Sequence, residues 1–309
     1  MSQDVTPADP ADEDGHDPAG DADPNWSESY YLDFFDSAAG VAGYVRLGLI
    51  PNQRRAWYWA CVVGPDRPLV TVVDHDVPLP RGSSREARHE GLWADYTVVT
   101  PLDHATVEVE SFAVALEDPS DAYGDMRGVR VPFGLDLEWE TDGSTFAYPG
   151  VTRYEVPCRV HGKVLVGEET IELDGWGQRD HSWGNRDWWS FGWSWTAGRL
   201  DDGTRFHATA VDFAGTPIYG TGYVQDPHGV MSAVSDVGHD DVLAEHGFST
   251  RTDWRVGDLA LVVEPIAFSP VLLESSDGRL SRFPRAWCRF EATDGRRGEG
   301  WTEWNQPAP

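Results

Sequence analysis

From Trp26 to Trp304 the chain runs as short β-branched or aromatic segments, each stopped by Gly, Pro or Asp, with almost no helical periodicity. Segments such as "GYVRLGLIP", "AWYWACVVG", "ATVEVESFAVAL", "FGLDLEWETDG", "TRFHATAVDF" and "DLALVVEPIAF" have strand length, and many alternate apolar with polar residues. "LDDGTRF", "SSDGRLS" and "ATDGRRG" carry the Asp-Gly pair that supplies positive φ in a tight hairpin. The pattern makes roughly fifteen strands, too many for one small barrel and suited to two. We expect an all-β fold of two antiparallel barrel or sandwich halves packed together. The Pro-Gly turn in "AYPGVTRYE" puts the boundary near residue 150, giving domains 25–150 and 151–309. One short helix is expected over Ser29–Ala39, where Tyr30, Tyr31, Phe34 and Phe35 can share a face. Residues 1–24 are acidic, rich in Pro and Gly and poor in large apolar side chains, and read as a disordered tail.

Charge narrows the partners. The chain carries 52 acidic and 24 basic residues, a formal charge of −28, and Lys163 is its single lysine. Carboxylates at that density repel one another unless counter-ions screen them, which suits a salt-rich cytoplasm of the halophilic kind. There is no basic footprint for nucleic acid and no attraction to anionic lipid. No apolar run is long enough to span a bilayer, and no signal-peptide order opens the chain. Cys61, Cys158 and Cys288 are odd in number and widely spaced, as buried reduced thiols would be.

The stretch "GWGQRDHSWGNRDWWSFGWSW", Gly175 to Trp195, sets an aromatic run beside a charged cluster. On a strand, Trp189, Phe191, Trp193 and Trp195 fall on one face, with Ser190, Gly192 and Ser194 on the other. Such a ladder serves either as a core strand or as the wall of a cavity for a long apolar ligand. In the polar part, Arg179 and Arg186 can each hold a carboxylate, Asp180 and Asp187 are the near candidates, and His181 titrates near neutrality. The cluster therefore reads as a structural latch or as an acid/base device facing an apolar cavity.

Other clusters carry less. Asp74, His75 and Asp76 would point to alternate sides of a strand and read as a turn rather than a metal site, and His239, Asp240 and Asp241 read as a solvated acidic turn. His207 shares a strand face with Arg205 and Thr209 and is a second candidate for a polar group lining the cavity. Glu155 and Glu303 are candidate partners for the arginines. The chain has no nucleophile elbow, phosphate loop, dinucleotide fingerprint or His-Glu-x-x-His helix, so neither metal nor cofactor is expected. Ser182 beside His181 is no nucleophile pair, because adjacent strand residues point apart.

"GWGQRDHSWG" resembles the Gly-x-Gly-x-x-Asp-His-(Asn/Ser)-Trp-Gly signature of the two-domain lipocalin-like proteins, which include carotenoid 1,2-hydratase and AttH-like members. "RYEVPCRVHGKVLVGEETIELDG" and "GEGWTEWNQP" resemble an uncharacterised branch of the same superfamily. Gln178-Arg179 replaces the aromatic residue common before the Asp in hydratase-like members. The resemblance implies two calycin-type β halves, with Asp180, His181 and Trp183 near a ligand cavity. The expected ligand is a hydrophobic, isoprenoid or lipid-like small molecule. Trp176, Trp183, Trp189, Phe191, Trp193, Trp195 and His207 would bind it. Asp180 with His181 would donate a proton, beside Asp187, and Arg179 and Arg186 would tune the acid, in a cofactor-free hydration, isomerisation or cyclisation. A non-catalytic carrier and a structural protein with a filled aromatic core are the alternatives, and no oligomeric state is specified.

Overall fold

A computed structural model describes residues 5–18, 20 and 23–308. Among these the fold is β throughout, with four short 3-10 turns and no α-helix. The first eleven strands are β1 (Trp26–Asp36), β2 (Val41–Ile50), β3 (Arg55–Gly64), β4 (Arg67–Pro78), β5 (Ala87–His89), β6 (Leu92–Thr100), β7 (His104–Leu116), β8 (Val129–Thr141), β9 (Phe146–Ala147), β10 (Arg153–Val166) and β11 (Glu169–Asn185). They form one antiparallel sheet in the order β4-β3-β2-β1-β11-β10-β8-β7-β6-β5. Pairing of β4 with β7 closes eight of them into a ring, and β9 adds to β10.

The second sheet starts with β12 (Phe191–Leu200), β13 (Arg205–Phe213), β14 (Thr216–Gln225), β15 (Met231–Val234), β16 (Val237–Leu243) and β17 (Ser249–Val256). It continues with β18 (Leu259–Phe268), β19 (Val271–Glu274), β20 (Leu280–Phe283), β21 (Arg285–Ala292) and β22 (Arg297–Pro307). Its order is β15-β14-β13-β12-β22-β21-β18-β17-β16, with the β19–β20 hairpin attached through β22. The molecule thus consists of two lipocalin-like antiparallel halves packed together.

Three large buried clusters, with a small fourth of Phe146, Tyr148 and Tyr223, make up the interior. Tyr30, Leu32, Phe34, Leu137 and Trp139 fill the first half. Phe206, Trp254, Phe290 and Trp304 fill the second. Between the halves lie Tyr31, Phe35, Tyr44, Trp59, Trp195, Trp287 and Trp301. Strand β1 is buried on both faces along its whole length, so it lacks the apolar/polar alternation of a one-sided strand. That is why Ser29–Ala39, expected to be helical, is mostly strand instead. The glycines flanking Trp176 bring β11 tight against β1, since a Cβ at Gly177 would lie 2.0 Å from the Asp33 carbonyl oxygen. The three Asp-Gly hairpins form where expected, with Gly203, Gly278 and Gly295 at φ of +94°, +82° and +91°.

Two boundaries move. The chain does not change sheets at residue 150. Strands β10 and β11 return to the first sheet, β11 pairing with β1, and the crossing comes at the 186–190 connection. The Pro149-Gly150 turn joins strands of one sheet, and a pairing between residues 26 and 185 leaves no local mark in the sequence. The expected disorder of residues 1–24 also fails for those described. Pro10–Glu13 forms a 3-10 turn, and Glu13, only 3% exposed, reaches into the first barrel to Arg179 at 2.7 Å. The Glu13 side chain also accepts from the Leu102 amide. Two satellite clusters are strand and not turn. Asp74 and His75 lie in β4, where Asp74 binds His89 and His75 accepts from Trp59, and His239 pairs with Asp241 in β16. All three cysteines are buried and unpaired, as expected.

Candidate functional site

Two rows of side chains meet where the sheets face each other. Across the first sheet, register aligns Trp59, Arg46, Tyr31, Asp180 and Glu155 on β3, β2, β1, β11 and β10. Across the second it aligns Thr209, Trp195, Glu303 and Arg285 on β13, β12, β22 and β21. The rows interlock. Trp195 Nε1 donates to Glu155 Oε1 at 3.0 Å, and Arg285 lies over the rings of Tyr31 and Tyr44 at 4.3 and 3.9 Å.

Glu155, fully buried, is the hub. It accepts from Arg153 Nε at 2.9 Å, Gln178 Nε2 at 3.0 Å and the Tyr148 hydroxyl at 2.9 Å. Burial pushes its carboxyl up, but His207, Arg153 and these donors outweigh that and hold it below its usual value. Arg153 also donates to Asp180 Oδ2 at 2.8 Å. Burial dominates at Asp180, and the neighbouring Glu155 and Glu303 add to it. Arg153 and Arg186 compensate only in part, so the carboxyl is pushed up to about 7. Asp180 therefore exchanges its proton near neutral pH.

Above this network the ends of the sheets part into a cleft of about 460 Å³. Phe191, Trp193 and Trp195 form one wall, Tyr148, Val151 and Tyr219 flank it, and Trp183 closes the end. Arg153, Arg186, Ser182, Thr209 and Glu303 supply its polar groups. A hollow of about 610 Å³ at the far end of the second half has a more polar rim, with Asp202, Asp226, Asp236, Asp258 and Arg296. In the first half a space of about 10 Å³ lies among Tyr30, Tyr58 and Tyr96, within an interior filled by buried core side chains. The ring-lined space is therefore between the halves rather than inside a barrel.

The structure separates the residues that the sequence grouped. Asp180 faces the second sheet, whereas Arg179 and His181, its neighbours on β11, point into the first barrel. His181 Nε2 donates to Glu28 Oε1 at 2.5 Å, and burial pulls its pKa down despite that carboxylate. Asp180 and His181 thus make no acid pair, and Arg179 does not face Asp180. Asp187 accepts from the Trp189 amide and the Ser190 hydroxyl, pinning the crossing. Phe191, Trp193 and Trp195 share the cleft wall as the alternation implied. Trp189 precedes the strand and packs in the inter-sheet core, its indole donating to the Leu273 carbonyl. Trp176 lies far down β11, held under Arg199 at 4.0 Å and Arg205 at 4.8 Å. His207 sits one layer beneath the cleft, with Nδ1 donating to the Thr196 carbonyl and Nε2 2.7 Å from the Tyr148 hydroxyl. Burial lowers its pKa to about 4, so it is neutral.

Sequence reasoning missed Arg153, Tyr148, Arg46 and Arg285, isolated in text and joined only by strand register. It also missed His16 and Glu28. His16 Nδ1 donates to Glu28 Oε1 at 2.9 Å, and its ring stacks on Trp183 at 3.8 Å. Among the described residues, His16, Glu28 and His181 are the one group whose ligand atoms, all within 4.8 Å of one another, can hold a metal ion. As placed, both histidines hydrogen-bond Glu28 Oε1.

A protein-family model described as a domain of unknown function (DUF7064) matches residues 9–308. No curated protein matches the chain. Among solved structures it is similar to an AttH-like protein of Nitrosomonas europaea, at 14% identity and a TM-score of 0.66, covering 97% of this chain and 98% of that one. It is similar to CghA solved with Sch210972, at 11% identity and a TM-score of 0.60, over 92% and 89% of the two chains. It is also similar to kievitone hydratase of Nectria haematococca, at 10% identity and a TM-score of 0.60, over 99% and 96%. These likenesses establish the two-half lipocalin-like fold.

Proposed function

The chain belongs to the DUF7064 family, and on that footing we propose that it binds a hydrophobic, isoprenoid-like small molecule in the cleft between its halves and catalyses a cofactor-free proton transfer on it. One observation carries the reading. The ring wall of Phe191, Trp193 and Trp195 stands beside a buried carboxyl network in which Asp180 is pushed up to about 7 and can exchange a proton near neutrality. Glu303 lines the cleft itself, bound to Arg285 at 2.8 Å, and Asp180 lies behind Arg153. In this scheme the carboxyl pair supplies a proton to an alkene, and the indole faces stabilise the cation that forms. Capture of that cation by water gives hydration, and loss of a different proton gives isomerisation or ring closure.

A hydratase among the structural neighbours supports this class of chemistry, at an identity that carries fold alone. The charge of −28 with a single lysine supports a salt-rich cytoplasm as the setting. No helix among the described residues is long and apolar enough to cross a membrane.

The test is native mass spectrometry of protein purified in high salt, with organic extraction of whatever it holds. We expect an apolar small molecule that Trp193→Ala loses, and turnover of it that Glu303→Gln and Asp180→Asn abolish while binding persists. Binding with no turnover by the unaltered protein would make it a carrier. Repeatedly ligand-free protein, with fluorescence unmoved by farnesol, squalene or oleic acid, would leave the rings as plain core.

A further inference from the structure

The first-sheet row contains a buried charge with no ion-pair partner among the described residues. Of the four buried arginines, Arg179 pairs with Glu13, Arg205 with Asp142 and Arg285 with Glu303. Arg46, 4% exposed, has no carboxylate within ion-pair distance among the described residues, and its Nη1 has no hydrogen-bond partner. Its guanidinium lies over Trp59 at 4.4 Å and Trp188 at 5.3 Å. Arg186 lies over the same Trp188 ring at 5.2 Å. It donates to the Ser182 hydroxyl and likewise has no carboxylate within ion-pair distance among the described residues. The nearby acids are committed, Asp180 to Arg153 and Glu303 to Arg285.

The two arginines share a small hollow of about 10 Å³ with Trp57, Trp188 and Ser27. The Trp57 indole N–H is a second buried donor without a partner, and it borders that hollow. Arg186 also lines the 460 Å³ cleft, so the hollow adjoins the ligand space. Two unmatched buried donors and two unpaired cations around room for about one water-sized atom call for a negatively charged acceptor. A water would satisfy the hydrogen bonds and leave the charge.

We infer that this hollow is an anion subsite, and that the molecule bound in the cleft carries a carboxylate whose oxygen sits between Arg46 and Arg186 while its apolar body lies along Trp193 and Trp195. This rests on the cleft reading above and specifies its ligand as an amphipathic acid. Such an oxygen can accept from Arg46 Nη1 and Trp57 Nε1 together, a charge-assisted arrangement that a neutral alcohol does not match.

The experiment compares matched pairs, farnesoate against farnesol and dodecanoate against dodecanol, by isothermal titration in potassium gluconate. Bromide-grown crystals are scanned in parallel for an anomalous peak. We expect each carboxylate to bind at least about tenfold more tightly than its alcohol. Arg46→Met should erase that preference and keep the melting temperature, because removing a buried unpaired charge does not destabilise. A bromide peak between the two guanidiniums would add support. Equal affinity within each pair overturns the inference and leaves the cleft reading intact. A bromide peak with equal affinities means an inorganic-ion site, and the inference again fails. If neither member of either pair binds, both readings fall.

Discussion

Trp195 on β12 and Glu155 on β10 are joined by an indole–carboxylate hydrogen bond of 3.0 Å across the gap between the two sheets. It ties the ring wall of the cleft to the buried hub on which Arg153, Gln178 and Tyr148 converge. The aromatic and charged halves of the most unusual stretch in the sequence are thereby one unit, meeting through a residue twenty positions upstream of that stretch.

Trp195→Phe keeps the ring and deletes the donor. With other donors still on Glu155, the loss should fall in the range of about 1–2 kcal/mol, read as a lower urea midpoint with an unchanged slope. A variant as stable as the parent would show that the bond across the sheets contributes nothing.

The raised carboxyl of Asp180 fixes the sign of a pH effect. Its folded pKa of about 7 stands above the ordinary 3.8, so the native state binds the extra proton and this group's contribution is lost as pH rises through the folded value. Asp180→Asn mimics the neutral form. Melting temperatures of variant and parent should lie close together below the lower value, draw apart between the two and stay apart above the higher one, with the variant the more stable. Parallel pH profiles would mean that Asp180 is ionised throughout.

Glu13→Ala strands the Arg179 guanidinium, 2% exposed, in the first barrel. The expected cost is about 3–5 kcal/mol, together with faster proteolysis within residues 5–18. Burial acts to raise the Glu13 carboxyl, but Arg179 and its hydrogen bonds leave it below 4.5. Its contribution is therefore present above that value and fades as pH falls through the folded pKa. A variant with the parent's stability would return this segment to the role of a solvated tail.

Salt should act on the surface more than on the site. With a charge of −28, raising potassium chloride from about 0.1 to about 2 M should raise the melting temperature by screening carboxylate repulsion. The buried ion pairs are screened far less, so the loss caused by Glu13→Ala should change little with salt. Insensitivity of the parent to salt would remove the case for a salt-adapted protein.

The strand rhythm, the Asp-Gly hairpins, the buried thiols and the Asp-His-Ser-Trp-Gly signature were all legible in the sequence, because each depends on neighbours a few residues apart. Alternation alone put Phe191, Trp193 and Trp195 on one wall. The same rule, applied to β11, separates Asp180 from His181, a consequence that their adjacency in the motif concealed. Burial on both faces removed the alternation of β1 and made it resemble a helix. Only the tertiary structure brought Glu13 to Arg179, Arg153 to Asp180 and Arg46 to Arg186, since pairing of β1 with β11 joins segments some 150 residues apart. Local sequence sets which residues share a strand face, and long-range register sets what that face meets. The cleft and its charges belong to the second.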